Sequence, residues 1–362
     1  MNPVAGMGGA VGLKGTDGKA YFEALKLGAE PVTPQRAEQF LSSIKSSGEL
    51  LILSAPGVMG EKIVEKTGIE HRVVGVVEGR EKTSAEDTKR IVNEMIKENV
   101  ELIVFVGGDG TSRDIYDVVG FDTAVLGVPS GVKMFGSVFA VSAKAAAKVV
   151  DAFVRGNTEI VEKEVLDIDE EAFRKSKLRV KLYGYLKVPT VKDLVQVGKE
   201  PSHAGESQSE NQNAIAKYIV ENMAQDVLFL LGPGTTTRAI ADELNIEKTL
   251  LGVDAVCGGE LVGQDLNERG IMDHLSKFGK ARIVVSPIGG QGFIFGRGNQ
   301  EFSPEVIRTV GKQNLVLVAT KDKVNRLRCL RVDTGDFEVD EMLKGYVKVV
   351  TDYNEEVMIE VV

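Results

Sequence analysis

The sequence predicts an α/β protein: a Rossmann-like N-terminal domain built on a parallel sheet, and a second domain of mixed β-rich and α/β character. Three observations carry that expectation. Through the first 155 residues, short apolar runs alternate with amphipathic stretches, the pattern of strands buried on both faces and joined by helices. At TEIVEKEVLDI and KLRVKLYGYLKV the texture changes to alternating apolar and charged residues, the period of a strand with one wet face. Finally, 362 residues exceed one ordinary core, so two domains are expected.

The elements follow in order. After a glycine-rich opening, a helix is expected around Thr33 to Ser46, then the strand LLILS, a helix near Met59 to Lys66 and the strand RVVGVV. SAEDTKRIVNEMIKEN reads as a helix capped by Ser84, with Asp87 three residues on as the other half of a capping box. The strand LIVFV leads to a helix from about Ser112, the strand TAVLGV and a long helix from about Gly136 to Val154. The two alternating segments open a second, antiparallel domain. The polar run from Lys199 to Asn213 reads as a loop, linker or lid, after which a helix to about Met223 and the strand DVLFLL resume the α/β pattern. LRCLRVD, YVKVV and EEVMIEVV read as late strands. The expected domains are 1–155, 156–330, and a C-terminal 331–362 that packs back on the first.

Composition narrows the function classes. With 43% hydrophobic and 27% charged residues and a net charge of -9, non-specific nucleic-acid binding is disfavoured, because it needs surplus cations to neutralise phosphates. Only Cys257 and Cys329 are present, too few for a disulfide framework, and neither has a histidine at metal-site spacing. The most apolar long segment, MFGSVFAVSAKAAAKVVDAFV, contains Lys144 and Lys148 and reads as a buried helix, not a membrane span. A cytoplasmic chain is expected. His71, His203 and His274 are far apart and outside the glycine motifs.

Chemistry concentrates in the glycine-rich turns. LIVFVGGDGTSRDI runs from an apolar strand through a tight turn into a helix. Small residues there let main-chain N–H groups approach an anion, and the helix start is electropositive. Gly107, Gly108, Gly110 and Thr111 fit that cradle. Asp109 does not, since a carboxylate repels phosphate; it therefore reads as a metal ligand, a proton acceptor or, more blandly, a helix cap. The opening NPVAGMGG offers Asn2, Gly6, Gly8 and Gly9 as further nucleotide contacts, against the alternative of a loose terminus. In GVPSGVKMFG, Ser130, Gly131 and Lys133 stand between a strand end and a helix, where a nucleotide could lie. GPGTTTR supplies Gly232, Gly234, Thr235, Thr236 and Thr237 in a similar strand–turn–helix, and one inserted residue aligns it with the first turn, as expected of a duplication or of convergence. SPIGGQGFIFGRG contributes Gly289, Gly290, Gln291 and Gly292, with Arg297 as a cation; its glycines suit a ligand approached by backbone or tight turns between strands.

Taken together, NPVAGMGG, GGDGTSRDI, the GVKM segment, GPGTTTR and GGQGFIFGRGNQ resemble the mainly archaeal, ATP-NAD kinase-like branch of the superfamily that unites NAD kinases with diacylglycerol and sphingosine kinases. The resemblance covers nearly the whole chain. It implies NAD kinase-like topology in the N-terminal domain and a cytoplasmic, usually homo-oligomeric transferase. Such an enzyme passes phosphate from ATP, or polyphosphate, to the 2′-hydroxyl of NAD, giving NADP. It further implies Mg²⁺ and ATP as cofactors, Asp109 as the acid that activates the acceptor hydroxyl or holds the metal, and nucleotides as partners, not nucleic acid or membrane. Two departures stand out. The N-E/D motif that holds the dinucleotide ribose in ordinary NAD kinases is not recognisable, SENQN being a loose echo, so another hydroxyl acceptor or a non-catalytic NAD(P)-binding role stays open. Relatives also carry an apolar strand ahead of the N-P dipeptide, so an upstream extension is expected to stabilise the sheet.

Overall fold

The structure, a computed structural model, describes all residues except 14–18, 78–82, 121–122, 132–133, 169–179, 197–205, 250 and 289. The chain divides into two units, one of Met1–Met7, Gly15–Lys26 and Glu30–Lys199, the other of Gly8–Lys14, Leu27–Ala29 and Glu200–Val362.

In the first unit, α1 (Lys19–Lys26) and α2 (Thr33–Ser42) precede β1 (Ile52–Ser54), α3 (Glu61–Thr67) and β2 (His71–Val73). Next come α4 (Ala85–Lys97), β3 (Leu102–Gly107), α5 (Asp109–Val119), β4 (Ala124–Pro129) and α6 (Ala143–Val154). An antiparallel hairpin, β5 (Glu159–Ile168) with β6 (Val180–Thr190), closes the unit. The capping box of α4 forms as read: Asp87 N–H donates to Ser84 Oγ at 3.3 Å and Ser84 N–H to Asp87 Oδ2 at 2.9 Å. β1 pairs with β2 and β3 with β4, both in parallel. Among the described residues these are two separate pairs; β1 and β2 span three residues each and offer few ladder bonds. Val125, Leu126 and Val128 of β4 are fully buried, as a strand covered on both faces requires.

Three expectations shift here. The helix expected from Gly136 starts at Ala143, where the Ser142 hydroxyl accepts the Ala145 N–H at 3.1 Å. The preceding residues run extended, Phe139 bridging Gly127 and Ala140 bridging Val195. Gly127 makes this possible, since a Cβ there would lie 2.3 Å from Cδ1 of Phe139. Second, α5 starts at Asp109, three residues earlier than read. Third, the hairpin belongs to the first unit, which runs to Lys199 and not to 155. Tyr116 of α5 packs on Gly184, where a Cβ would come within 2.3 Å of the ring, and Arg113 of α5 pairs with Asp167 at 2.8 Å.

The second unit contains α7 (Glu206–Glu221), β7 (Leu228–Leu231), α8 (Thr235–Glu243), β8 (Val253–Cys257), β9 (Glu260–Leu266), α9 (Glu268–Phe278) and β10 (Ala281–Val285). It continues with β11 (Phe293–Phe295), α10 (Pro304–Val310), β12 (Leu315–Val318), α11 (Lys321–Arg326), β13 (Arg331–Val332), α12 (Phe337–Leu343), β14 (Gly345–Asp352) and β15 (Glu355–Val361). Its sheet has seven strands in the order β15-β14-β12-β10-β7-β8-β9. The four central strands, β14, β12, β10 and β7, are parallel, and an antiparallel strand or hairpin flanks each side. Successive side chains feed two cores: Leu228, Leu230, Ile283, Val285 and Leu317 on one face, Phe229, Leu231, Val284 and Val318 on the other. That is the alternation of a sheet covered on both sides.

The C-terminal strands thus belong to the second unit's sheet, where β14 continues the parallel block beside β12. From Glu206 onward the polar run is helical, not loop; Ile215, Ala216 and Ile219 give it an apolar face, while Asn211 donates to Thr351 O at 2.8 Å and accepts from Lys321 N–H at 3.0 Å.

Candidate functional site

In the first unit the glycine turn after β3 and the loop after β4 lie back to back. Ser130 N–H donates to Gly107 O at 3.0 Å. A Cβ on Gly131 would lie 3.0 Å from the Gly108 Cα, and one on Gly107 would lie 2.6 Å from Thr111 Oγ1. The opening segment joins them: Asn2 N–H donates to Val106 O at 2.9 Å, and Asn2 Nδ2 donates to Thr111 Oγ1 at 3.0 Å. Gly6, at φ +80, approaches so closely that a Cβ would fall 1.8 Å from Ser130 O. The structure therefore brings together Asn2, Gly6, Gly107, Gly108, Thr111, Ser130 and Gly131. Gly110 sits in the first turn of α5; Lys133 lies outside the described residues.

Asp109 occupies the first helical position of α5, with Gly108 as N-cap and no side-chain cap. It is buried. Its carboxylate turns toward the loop after β4, where Oδ2 accepts the Phe135 N–H at 2.6 Å and Oδ1 the Gly136 N–H at 3.0 Å. Gly108, not Asp109, is the N-cap of the helix. The acid is instead oriented by two main-chain donors that carry no side-chain signature, so sequence reading missed them. Ser130 has a buried hydroxyl without a hydrogen-bond partner among the described residues, which costs free energy unless a bound group satisfies it.

The turns of the second unit differ in character. Thr237 bends back to Gly232 O at 2.7 Å and Gly234 O at 2.9 Å, and Thr235 accepts from Gln212 Nε2 at 3.0 Å. Thr236 and Thr237 are buried. Gly232 packs on Val285 and Phe302, and Gly234 adopts φ +125. β8 pairs antiparallel with β7, whereas β4 is parallel to β3, so the likeness between the two glycine turns is confined to the strand–turn–helix and does not extend to a repeated βαβ unit. Gly8 accepts the Leu13 N–H at 2.8 Å, and Gly9 abuts Gln300. Gly290 is exposed and Gln291 half-buried. At Gly292 a Cβ would meet Cys329 O at 2.7 Å; Gly289 lies outside the described residues. Arg297 is an internal group: it pairs with Asp333 at 3.1 Å and lies over the Phe293 ring at 4.9 Å.

The orphaned Ser130 hydroxyl beside the glycine turn is a donor that a nucleotide phosphate would satisfy. Among the described residues no three His, Cys, Asp or Glu side chains converge on a metal position. Mg²⁺ is commonly held by one or two carboxylates together with substrate phosphates, and the buried Asp109 carboxylate is the group beside the glycine turn that would hold it. Among the described residues no helix is long and apolar enough to cross a membrane.

The ATP-NAD kinase N-terminal domain model matches residues 27–158 and the ATP-NAD kinase C-terminal domain model residues 224–361, which makes the chain a kinase-type phosphotransferase. The chain belongs to the ATP-NAD kinase family. Neither curated proteins nor solved structures yield a match.

Proposed function

We propose that the protein transfers the γ-phosphoryl group of ATP to the 2′-hydroxyl of the adenosine ribose of NAD, giving NADP, with Asp109 as the catalytic residue. The observation that supports this most directly is the Asp109 carboxylate, buried at the start of α5 and oriented by the Phe135 and Gly136 amides beside the glycine cradle. In this reading the acceptor oxygen attacks the γ-phosphorus, its proton passes to a carboxylate oxygen of Asp109, and ADP leaves. Gly107, Gly108 and Gly131 let the two turns pack closely together, the Ser130 hydroxyl supplies a donor, and Asn2 fixes Thr111. Mg²⁺, when bound, neutralises charge on the transferring phosphates. The protein acts in solution on small nucleotides, in the cytoplasm and as a homo-oligomer.

The test is direct. Purified protein is incubated with ATP, Mg²⁺ and NAD, and NADP is read by a coupled dehydrogenase. Asp109→Asn is expected to lower kcat by at least about 100-fold, the loss typical of removing a general base. Absence of NADP from the wild-type protein, or full activity in the variant, would refute the assignment. Polyphosphate in place of ATP tests the donor.

A further inference from the structure

The N–H groups that orient Asp109 belong to a short loop, and something must hold that loop. Ser137, the next residue, does so by pairing with strand β5 of the hairpin. Its N–H donates to Glu164 O at 3.0 Å, and its hydroxyl accepts the Glu164 N–H at 2.9 Å. One buried serine thereby supplies both halves of a bridge that ordinarily needs a backbone donor and a backbone carbonyl. The same hairpin grips the other side of the acid through α5, by the Arg113–Asp167 pair at 2.8 Å and the seating of Tyr116 on Gly184.

We propose that Ser137 is a positioning residue for phosphoryl transfer: its bridge to Glu164 fixes the loop whose amides aim the Asp109 carboxylate. This rests on the assignment of Asp109 given above. Alanine at 137 keeps the N–H but strips Glu164 N–H of its acceptor, so the loop gains freedom and the carboxylate loses its fixed direction. Ground-state binding of nucleotide, which the glycine turns govern, is left alone. Small displacements of a reacting group cost rate far more than affinity.

The expected result is a fall in kcat of about ten-fold or more in Ser137→Ala, with KM for ATP and NAD within about two-fold of wild type, and recovery of kcat in Ser137→Thr, which restores the hydroxyl. Hydrogen exchange measured on the folded wild-type protein supplies a readout independent of turnover: the Phe135, Gly136 and Glu164 amides should be protected. Wild-type kcat in Ser137→Ala overturns the proposal, as does unprotected exchange of those amides in the wild-type protein; the exchange result decides even where the alanine variant does not fold. Loss of NADP formation in Asp109→Asn alongside unchanged kcat in Ser137→Ala refutes the positioning role alone. Retained activity in Asp109→Asn refutes the parent assignment instead.

Discussion

The Gly136 amide donates to Oδ1 of Asp109 at 3.0 Å, and a Cβ built on Gly136 would lie 3.0 Å from that same oxygen. The glycine therefore both orients the acid and leaves it space. Gly136→Ala should push the carboxylate aside by a few tenths of an ångström while leaving the fold in place. We expect kcat for phosphoryl transfer to drop by about 10- to 100-fold and stability by about 1 kcal/mol. Steady-state kinetics beside a thermal melt checks this; an alanine variant with wild-type kcat would show that the contact does not govern the acid.

Gly6 tests the cradle from the other side. At φ +80 it occupies the left-handed region, and a Cβ would collide with Ser130 O at 1.8 Å. Gly57, also at positive φ but with nothing near its Cβ position, provides a control in the same unit. Gly57→Ala should cost only the backbone strain, about 1 kcal/mol. Gly6→Ala should cost more, about 3 kcal/mol, since the main chain of the Ser130 loop must move as well. Urea unfolding midpoints compare the two, and equal losses would mean that the close approach carries no energetic weight.

How far the sequence discloses this arrangement depends on which physical signal is local. The capping box of Ser84 and Asp87 and the parallel core strands β3 and β4 are written in neighbouring residues, and both are found as read. The assignment of the β5–β6 hairpin was not, because alternation reports one wet face but not which body covers the other; Gly184, which lets Tyr116 in, looks like any glycine in a strand. Likewise the amides of Phe135 and Gly136 have no residue type to betray them. A turn was overlooked too: Gly258 and Gly259, at φ +62 and +79, join β8 to β9, and a Gly-Gly pair of that kind is a strong hairpin signal. Its β8 partner, antiparallel to β7, is what separates the second glycine turn from the first.

Arg297 illustrates a cation that reads as a ligand contact and serves the interior instead. It and Asp333 are paired with little solvent around them, at 3.1 Å. Removing one partner from a buried pair takes away the attraction that offsets the desolvation of the other charge. Asp333→Ala is expected to lose about 3–5 kcal/mol of stability, whereas the double replacement Arg297→Met with Asp333→Leu should recover much of that loss. Denaturation of the three proteins gives the answer. A double variant no better than Asp333→Ala would indicate that packing, not charge, dominates at this position.

A pH-dependent contribution comes from Asp151 of α6, which ties that helix to the chain following α2. Its carboxylate accepts the Ser46 hydroxyl at 2.7 Å, the Ser46 N–H at 2.9 Å and the Lys45 N–H at 3.0 Å. Burial by itself would raise the carboxyl, but the Ser46 and Lys45 hydrogen bonds outweigh it and hold Asp151 below the ordinary aspartate range. A carboxyl depressed in the folded state stabilises above the unfolded-state value of about 3.9 and loses that contribution as pH falls through the folded-state value. Asp151→Asn keeps the shape and one acceptor oxygen while discarding the charge, so it should be less stable than wild type by about 1–3 kcal/mol near neutrality. That gap should narrow once the pH drops below about 4. Urea titrations at several pH values measure it, and a gap that stays constant down to the acid limit of folding would show that the carboxylate's charge is not what holds α6 in place.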